Sequence, residues 1–266
     1  MEPIDYLINY LLEDNKEVQL NHEAKTVDEK RNLYRSLCNV REPRSVSEEY
    51  IKIESEYLQE ELSNKNVTDV NDLLTIEEKY SVNSLKNQDK LVIWQGDITK
   101  FKVGAIVNAA NSKGLGCFIP LHNCIDNQIH TYAGIPLRLE CDKIMKTINY
   151  NLPTGEAFIT RGYNLPCDYV LHTVGPIISD KVTPEKIKEL SNCYKNCLKI
   201  AMDNNIRTIS FPGISTGVFR FPKDYACQIA LKTVDDFLDD NRDNFDKVVF
   251  NLHSNQDVEI YERFIR

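Results

Sequence analysis

Apolar residues follow a helical spacing in the first third of the 266-residue chain. Thr26-Val-Asp-Glu29 and Ser45-Val-Ser-Glu48 both fit a capping box, in which a hydroxyl and a Glu satisfy each other's helix-end amides. Apolar side chains then recur three or four residues apart, and Pro43 separates the two predicted helices. The segment from Asn64 to Gln88 predicts a looser connection with one short helix.

From residue 91 onward, short apolar runs alternate with longer amphipathic stretches. The predicted strands are Leu91–Trp94, Ala105–Val107, Ala157–Thr160, Tyr169–Thr173, Thr208–Phe211 and Val248–Leu252. The predicted helices are Ile125–Asn149, Pro184–Asn204, Pro222–Asp240 and Val258–Arg266. This alternation predicts an α/β fold: a mixed, largely parallel sheet with helices on both faces. Ligands in such folds bind beyond the carboxyl ends of the strands, so the loops there are candidate sites.

Charge and glycine content divide the chain at the same place. Half of the 40 acidic residues but only 12 of the 32 basic ones lie in residues 1–90, so that segment carries the whole net charge of −8. All ten glycines lie after it. We therefore predict a helical N-terminal extension over residues 1–88 and an α/β domain over residues 89–266. The extension carries no chemical motif and is interpreted as a helical cap or a partner-contacting subdomain.

The overall composition excludes several classes of function. A net charge of −8 and a pI near 5.3 argue against binding to a nucleic-acid backbone. No apolar run approaches the ~18 residues of a membrane span. The chain begins with acidic residues where a secretory signal would carry Lys or Arg. The eight cysteines are therefore expected to be reduced thiols or metal ligands, and the protein is expected in the cytoplasm, with no nucleic-acid or membrane partner.

The most specific motif is Cys117-x4-His122-x-Cys124. Two soft thiolates and an imidazole suit Zn²⁺, and three local ligands leave a position for water or a substrate oxygen, as in catalytic zinc sites. The alternative is a pair of buried cysteines beside a surface histidine. Asp126 and His130 follow on one face of the next predicted helix, where Asp126 either acts near the metal or simply caps the helix.

Three further loops at strand ends carry polar groups. Asp97, in Gly-Asp-Ile-Thr, could bind an amine or hydroxyl of a nucleoside, although Gly-Asp is also a common turn pair. Asn108 and Asn111 could bind hydroxyls or serve as turn and cap residues. Residues 213–219, Gly-Ile-Ser-Thr-Gly-Val-Phe, combine free backbone amides into an anion nest suited to a phosphate or diphosphate, with Phe219 either stacking on a sugar or packing in the core.

Taken in order, these motifs resemble those of the macrodomain family over roughly residues 90–266. The motifs are Gly96-Asp-Ile-Thr99, Asn108-Ala-Ala-Asn111, Asp126…His130…Ala133-Gly134, Pro153-Thr-Gly-Glu-Ala157, Leu171-His-Thr-Val-Gly-Pro176 and Pro212-Gly-Ile-Ser-Thr-Gly-Val-Phe219. The Cys117–Cys124 insertion replaces the usual glycine-rich loop and resembles the zinc-containing branch of the family, whose members often carry an N-terminal helical extension. The resemblance implies a macrodomain-like three-layer α/β/α fold.

The resemblance also implies an ADP-ribose site and assigns residues to it. Asp97 would bind the adenine amine, Asn111 the distal-ribose hydroxyls, and Phe219 would lie against that ribose. Asp126 would lie near the scissile bond. The implied ADP-ribose-binding residues are Asp97, Ile98, Asn111, Cys124, Ile125, Asp126, Ser215, Thr216, Gly217, Val218 and Phe219. The implied zinc ligands, one ion per chain, are Cys117, His122 and Cys124.

The implied activity is zinc-dependent removal of mono-ADP-ribose from modified proteins. As a hypothesis, Zn²⁺ acts as a Lewis acid or holds a nucleophile, Asp126 orients or deprotonates the attacking group, and Asn111 fixes the sugar. Some members of the branch are linked with a lipoylated carrier protein modified by a sirtuin-type transferase, which would be the partner here. Two alternatives share the pocket: an ADP-ribose reader without turnover, and a deacetylase of O-acetyl-ADP-ribose. A zinc nucleobase deaminase is disfavoured because its H-x-E and P-C-x-x-C motifs are absent.

Overall fold

The structure is a computed structural model, and it describes residues 2–15, 24–80, 82 and 84–266. Residues 1, 16–23, 81 and 83 of the predicted extension therefore lie outside the described residues. The strands are β1 (Thr68–Asp69), β2 (Leu91–Gln95), β3 (Phe101–Lys102), β4 (Ala105–Ala109), β5 (Ala157–Arg161), β6 (Tyr169–Thr173), β7 (Thr208–Phe211) and β8 (Lys247–Leu252). The α-helices are α1 (Pro3–Asp14), α2 (Val27–Val40), α3 (Glu48–Ser63), α4 (Ile76–Tyr80), α5 (Ile125–Ala133), α6 (Ile135–Thr147), α7 (Pro184–Asp203), α8 (Lys223–Asn241) and α9 (Asn255–Ile265).

The main sheet has six strands in the order β2-β8-β7-β4-β6-β5. All neighbours in it are parallel except β5, which runs antiparallel to β6 at one edge. The predicted mixed, largely parallel sheet is therefore confirmed. Because β2, β8, β7 and β4 are neighbours, the loops at their carboxyl ends lie along one edge of the sheet.

Alternate side chains of each central strand enter different hydrophobic clusters. Leu91 and Ile93 of β2 pack in a cluster with α7, α8 and α9, whereas Val92 between them packs in a second cluster with α5 and α6. Val107 and Ile106 of β4 divide in the same way. Since successive side chains of a strand point to opposite faces, apolar residues at every position require helices on both faces. The predicted three-layer α/β/α architecture is confirmed.

The extension forms its own apolar cluster from α1, α2 and α3, which also includes Ile135 of α6. The capping box of Thr26 and Glu29 is present at the start of α2. The predicted box of Ser45 and Glu48 is wrong: Ser47 caps α3 instead, its hydroxyl accepting from the Tyr50 amide. The sequence prediction also did not include α1.

Gly134 divides one predicted helix into two. The predicted helix Ile125–Asn149 is interrupted by Gly134 at φ +89°, a conformation that L side chains rarely adopt, and Pro136 in the first turn of α6 has no amide to continue the preceding helix. The helix predicted to begin at Val258 begins at Asn255, where Ser254 and Asp257 form a capping box. Predicted boundaries elsewhere differ by a few residues at most.

The extension is joined to the rest of the chain by backbone pairing as well as by side chains. Strand β1 pairs in parallel with β3, with Thr68 opposite Phe101. The connection near residues 64–88 contains the short helix α4, as expected. The division of the chain at residues 88 and 89 remains a prediction.

Candidate functional site

A cavity lies along the sheet edge formed by the carboxyl ends of β2, β4, β7 and β8. Every residue that the sequence singled out as a ligand or metal contact lines it, although these residues come from loops far apart in the chain. They are Asp97, Ile98, Asn111, Cys117, His122, Cys124, Ile125, Asp126, Ser215, Thr216, Gly217, Val218 and Phe219. The fold therefore brings the predicted site residues together.

Asp97 lies at the β2 end of the cavity and is tied into a turn. Its Oδ1 accepts from the Thr99 amide at 3.0 Å and from the Thr99 hydroxyl at 2.6 Å, while Lys100 Nζ lies 3.2 Å from Oδ2. Partial burial opposes ionisation, but the Thr99 hydrogen bonds outweigh it and hold the pKa of Asp97 below its usual value. Asp97 is therefore a turn residue, as one of the two interpretations of the sequence has it. The turn fixes a charged carboxylate at the cavity wall, available to a ligand N–H group.

The loop after β7 presents unused hydrogen-bond donors. The Thr216 amide bonds to Gly213 O and the Phe221 amide to Ser215 O. The amides of residues 217–219 have no hydrogen-bond partner among the described residues. Ser215 has φ +64°, and its buried hydroxyl likewise has no partner there. Consecutive free amides next to a free hydroxyl suit an anion such as a phosphate.

Gly175 gives this loop its space. A Cβ at Gly175 would lie 2.0 Å from Ser215 Oγ, so only glycine allows the close approach. Phe219, for which the sequence left core and ligand contact open, is half-buried and lines the cavity.

Cys117, His122 and Cys124 also line the cavity, and their side chains converge. Their three ligand atoms all lie within 4.8 Å of one another, and Cys117 Sγ is 3.6 Å from His122 Nδ1. Zinc bonds of ~2.3 Å to sulfur and ~2.0 Å to nitrogen at tetrahedral angles place such atoms about 3.5 Å apart. The donor set and its spacing therefore fit a zinc ion.

Cys124 also begins helix α5. Its Sγ accepts from the Asn127 amide at 3.4 Å, so the thiol is the N-cap of the helix. Burial, with a smaller contribution from the Cys117 charge, raises the pKa of Cys124 to about 12. A bound dication would offset this and stabilise Cys124 as the thiolate.

Asp126 lies in the first turn of the same helix and is 4% exposed. Its Oδ1 accepts from Asn108 Nδ2 at 2.7 Å, and its Oδ2 from Asn111 Nδ2 at 3.3 Å. Burial raises the pKa of Asp126 to about 6, and the two amide hydrogen bonds oppose that rise. The carboxyl is thus fixed in orientation at the cavity wall, with a pKa close to neutrality.

Asn108, which the sequence predicts to bind a ligand hydroxyl or to serve as a turn or cap residue, instead lies buried in β4 and holds Asp126. The same Nδ2 that donates to Asp126 lies 3.1 Å from His172 Nδ1, so this ring nitrogen accepts. His172 Nε2 therefore carries the proton and donates to the Thr160 hydroxyl at 2.9 Å. Burial lowers the pKa of His172 to about 3, which keeps the ring neutral. The position of Asp126 is set from deep within the sheet.

A second group of side chains of the kinds that bind metals lies buried near Asp126. The ligand atoms of His130, Cys141 and His172 also fall within 4.8 Å of one another, but all three side chains are buried. Both ring nitrogens of His172 already have partners, and burial lowers the pKa of His130 well below its usual value. We interpret this group as packed core. His130 Nε2 lies 3.6 Å from Asp126 Oδ1, on the face that the sequence predicted.

Comparison with known proteins shows which family the chain is similar to. Residues 107–230 match the family described as "Macro domain". A protein from Treponema medium named protein-ADP-ribose hydrolase is 44% identical over 260 residues, covering 98% of this chain and 97% of that protein. A protein of the same name from Staphylococcus aureus strain MRSA252 is 41% identical, covering 97% of this chain and 93% of its own.

Solved structures with this fold include complexes with nucleotides. The Trypanosoma brucei macrodomain in complex with ADP-ribose aligns with a TM-score of 0.68 at 28% identity, over 84% of this chain and 92% of that chain. The Oceanobacillus iheyensis macrodomain with ADP aligns with a TM-score of 0.59 at 39% identity, over 66% of this chain and 90% of that chain. The chain belongs to the macro domain family, as its motifs predicted.

The chain has full-length relatives at 40–44% identity that are named as hydrolases of protein-bound ADP-ribose. Within the described part of the chain, every helix is too short or too polar to span a bilayer.

Proposed function

We propose that this protein is a hydrolase that removes mono-ADP-ribose from modified proteins and that it requires a zinc ion held by Cys117, His122 and Cys124. One observation carries the proposal. A three-ligand soft-donor cluster, a fixed carboxyl and an anion nest line the same cavity. The names and coverage of the relatives support the same activity.

Each wall of the cavity has a role in this proposal. Asp97 binds the adenine amine, with Ile98 beside it. The amides of residues 217–219 and the Ser215 hydroxyl bind the diphosphate, and Phe219 packs against the distal ribose. The metal ligands and Asp126 line the same cavity as the anion nest, and we place the scissile bond beside Asp126.

The chemistry at the scissile end is divided between the carboxyl and the amides. Asp126 orients or deprotonates the attacking group, and a pKa near 6 leaves it mostly ionised at neutral pH. Asn111 fixes the sugar while its amide holds Asp126. When bound, zinc would supply a Lewis acid for a water or ribose oxygen at the open ligand position.

The substrate class follows from the family resemblance and the names of the relatives. We propose a mono-ADP-ribosylated protein, and a lipoylated carrier protein modified by a sirtuin-type transferase is the first to test. The two thiolates in the metal site require a reducing compartment, for which we propose the cytoplasm.

The test is release of free ADP-ribose from a mono-ADP-ribosylated protein, with and without a chelator. We expect the chelator to abolish turnover and stoichiometric zinc to restore it. Cys124→Ala should lose turnover at least about 100-fold while still binding free ADP-ribose. Cys167→Ala, at a buried cysteine outside the cavity lining, is the matched control.

The possible outcomes separate the alternatives. Full activity of metal-free Cys124→Ala would reject the role of the metal. Tight ADP-ribose binding without turnover by the zinc-loaded protein would identify a reader module, and turnover of O-acetyl-ADP-ribose alone would identify a deacetylase.

A further inference from the structure

Helix α2 of the N-terminal extension contacts the loop that carries the metal ligands. Arg35 Nη2 donates to the backbone oxygen of His122 at 2.7 Å and to Asn127 Oδ1 at 2.8 Å, and Arg35 Nε donates to the same Asn127 oxygen at 3.1 Å. Asn127 Nδ2 in turn donates to Ile119 O at 3.0 Å. A single guanidinium thus links a ligand residue to the first turn of α5.

Asn39, one helical turn further along α2, makes a second connection. Its Oδ1 accepts from the Leu121 amide at 3.0 Å, and its Nδ2 donates to Thr131 Oγ1 at 3.3 Å. Asn39 is 1% exposed. Arg35 and Asn39 therefore both connect the loop to α5, the helix that begins at Cys124 and carries Asp126.

Arg138 of α6 connects the C-terminal end of α2 to Leu115, which precedes the metal ligands. Arg138 Nη1 donates to the backbone oxygens of Cys38 at 2.7 Å and Arg41 at 2.6 Å, while its Nε donates to Leu115 O at 2.8 Å. The Arg138 guanidinium also lies over the Phe118 ring, 4.4 Å from its centroid. Bonds to the terminal carbonyls of a helix satisfy groups that have no partner within it.

The loop has little other packing to hold it. Ile119 is 59% exposed and Leu121 is 39% exposed, so apolar burial contributes little at its tip. Leu121 has φ +55°, a conformation that costs a non-glycine residue free energy. The bonds from Arg35 and Asn39 reach this strained tip directly.

On this basis, we propose that the N-terminal extension is part of the metal site: Arg35 and Asn39 are positioning residues that hold residues 117–124 so that the three ligand atoms converge. The inference rests on the proposed zinc-dependent function, but the contacts that carry it belong to the protein alone.

The experiment compares full-length Arg35→Gln and Asn39→Ala with Arg31→Gln. Arg31 lies one turn earlier on the same helix and pairs with Asp28 and Glu61, away from the loop, so Arg31→Gln is the matched control. Amide hydrogen exchange without added metal tests the contact itself. We expect exchange at Leu121 and His122 to become about tenfold faster or more in the two test variants and to stay unchanged in the control.

Zinc affinity, measured by competition with a chromophoric chelator, tests the consequence. We expect an affinity loss of about 10- to 100-fold in the two test variants, the range found when groups that orient metal ligands are removed. The visible spectrum of the cobalt-substituted protein should shift in the test variants, because it reports ligand geometry. Arg35→Lys should restore part of the affinity, since its ammonium can make one of the three hydrogen bonds of the guanidinium.

The two hypotheses fail differently. The positioning role would be overturned if exchange at Leu121 and His122 stayed as slow in both test variants as in the wild type. It would also be overturned if the wild type bound zinc and the two variants bound it with the same affinity. A wild type that binds no zinc would overturn the metal-dependent function and the role of α2 in zinc binding. The exchange data would still show whether α2 holds the loop.

Discussion

At the scale of single residues, the site depends on how Asp126 is held. Its two oxygens accept from two different asparagine amides, one of which is anchored to His172 in the sheet. A carboxyl held on both sides loses little freedom when a substrate arrives, and this preorganisation is what catalysis requires. The same contacts make the position sensitive to an isosteric change.

Asp126→Asn should lower kcat/KM for ADP-ribose release by at least about 100-fold, the typical contribution of a positioned acid or base. The variant cannot ionise, and its amide would face the Asn108 and Asn111 donors with one oxygen in place of two. Steady-state kinetics measures the loss, and calorimetry should show ADP-ribose binding retained within about tenfold.

Asp28→Asn is the control for that substitution, because the Asp28 side chain is 88% exposed on the extension. We expect it to match the wild type in both measurements. Activity of Asp126→Asn within tenfold of the wild type would remove the carboxyl from the mechanism.

At the scale of elements, the break at Gly134 ends α5 and starts α6 close to the extension. Gly134 has φ +89° and ψ 175°, a region open essentially to glycine alone. A Cβ there would lie 2.7 Å from Glu54 Oε2 of α3. The break is therefore shaped by the extension that packs against it.

Gly134→Ala should reduce the free energy of unfolding by about 1–3 kcal/mol, through backbone strain and the clash with Glu54. Urea denaturation of the full chain measures the change. Gly217→Ala is the control for stability alone, since a Cβ there meets nothing within 4 Å. Equal stability of the two variants would contradict this account of the break.

The strands and the site loops were predictable from the sequence for a physical reason. Strands buried on both faces appear as short apolar runs, and their carboxyl ends carry polar loops that the topology must collect at one edge. The break at Gly134 was not predicted, because helical apolar spacing continues through it. A lone glycine inside such a pattern does not reveal its φ angle.

The roles of Arg35, Asn39 and Asn108 could not be read from the sequence. Arg35 meets His122 across 87 residues of chain, and Asn108 meets His172 across 64. No local spacing encodes such pairs, and Arg35 looks like one charge among many on an amphipathic helix. Only the packing of α2 against α5 gives it a role.

At the scale of the whole molecule, one buried carboxyl lies where the extension meets the α/β domain. Glu54 is 0% exposed on α3, and it accepts from Tyr34 at 2.8 Å, from Tyr50 at 3.2 Å and from the Ile135 amide of α6 at 3.0 Å. Burial outweighs these hydrogen bonds and raises the pKa of Glu54 from 4.5 to about 7. The junction is therefore expected to respond to pH.

The sign of that response follows from linkage. Below pH 4.5 Glu54 is protonated in both the folded and the unfolded chain, and its contribution to stability is fully present. Between pH 4.5 and about 7 the unfolded chain loses the proton while the folded protein keeps it, so stability falls as pH rises. Above about pH 7 both states are ionised and the loss is complete.

Glu54→Gln removes the titration, so the free energy of unfolding of the wild type minus that of the variant should fall by up to about 3 kcal/mol across this window. Urea denaturation at several pH values gives this difference and cancels the other titrating groups. A difference that stays constant from pH 4.5 to 7.5 would show that the pKa of Glu54 is not raised on folding and that its three donors offset its burial.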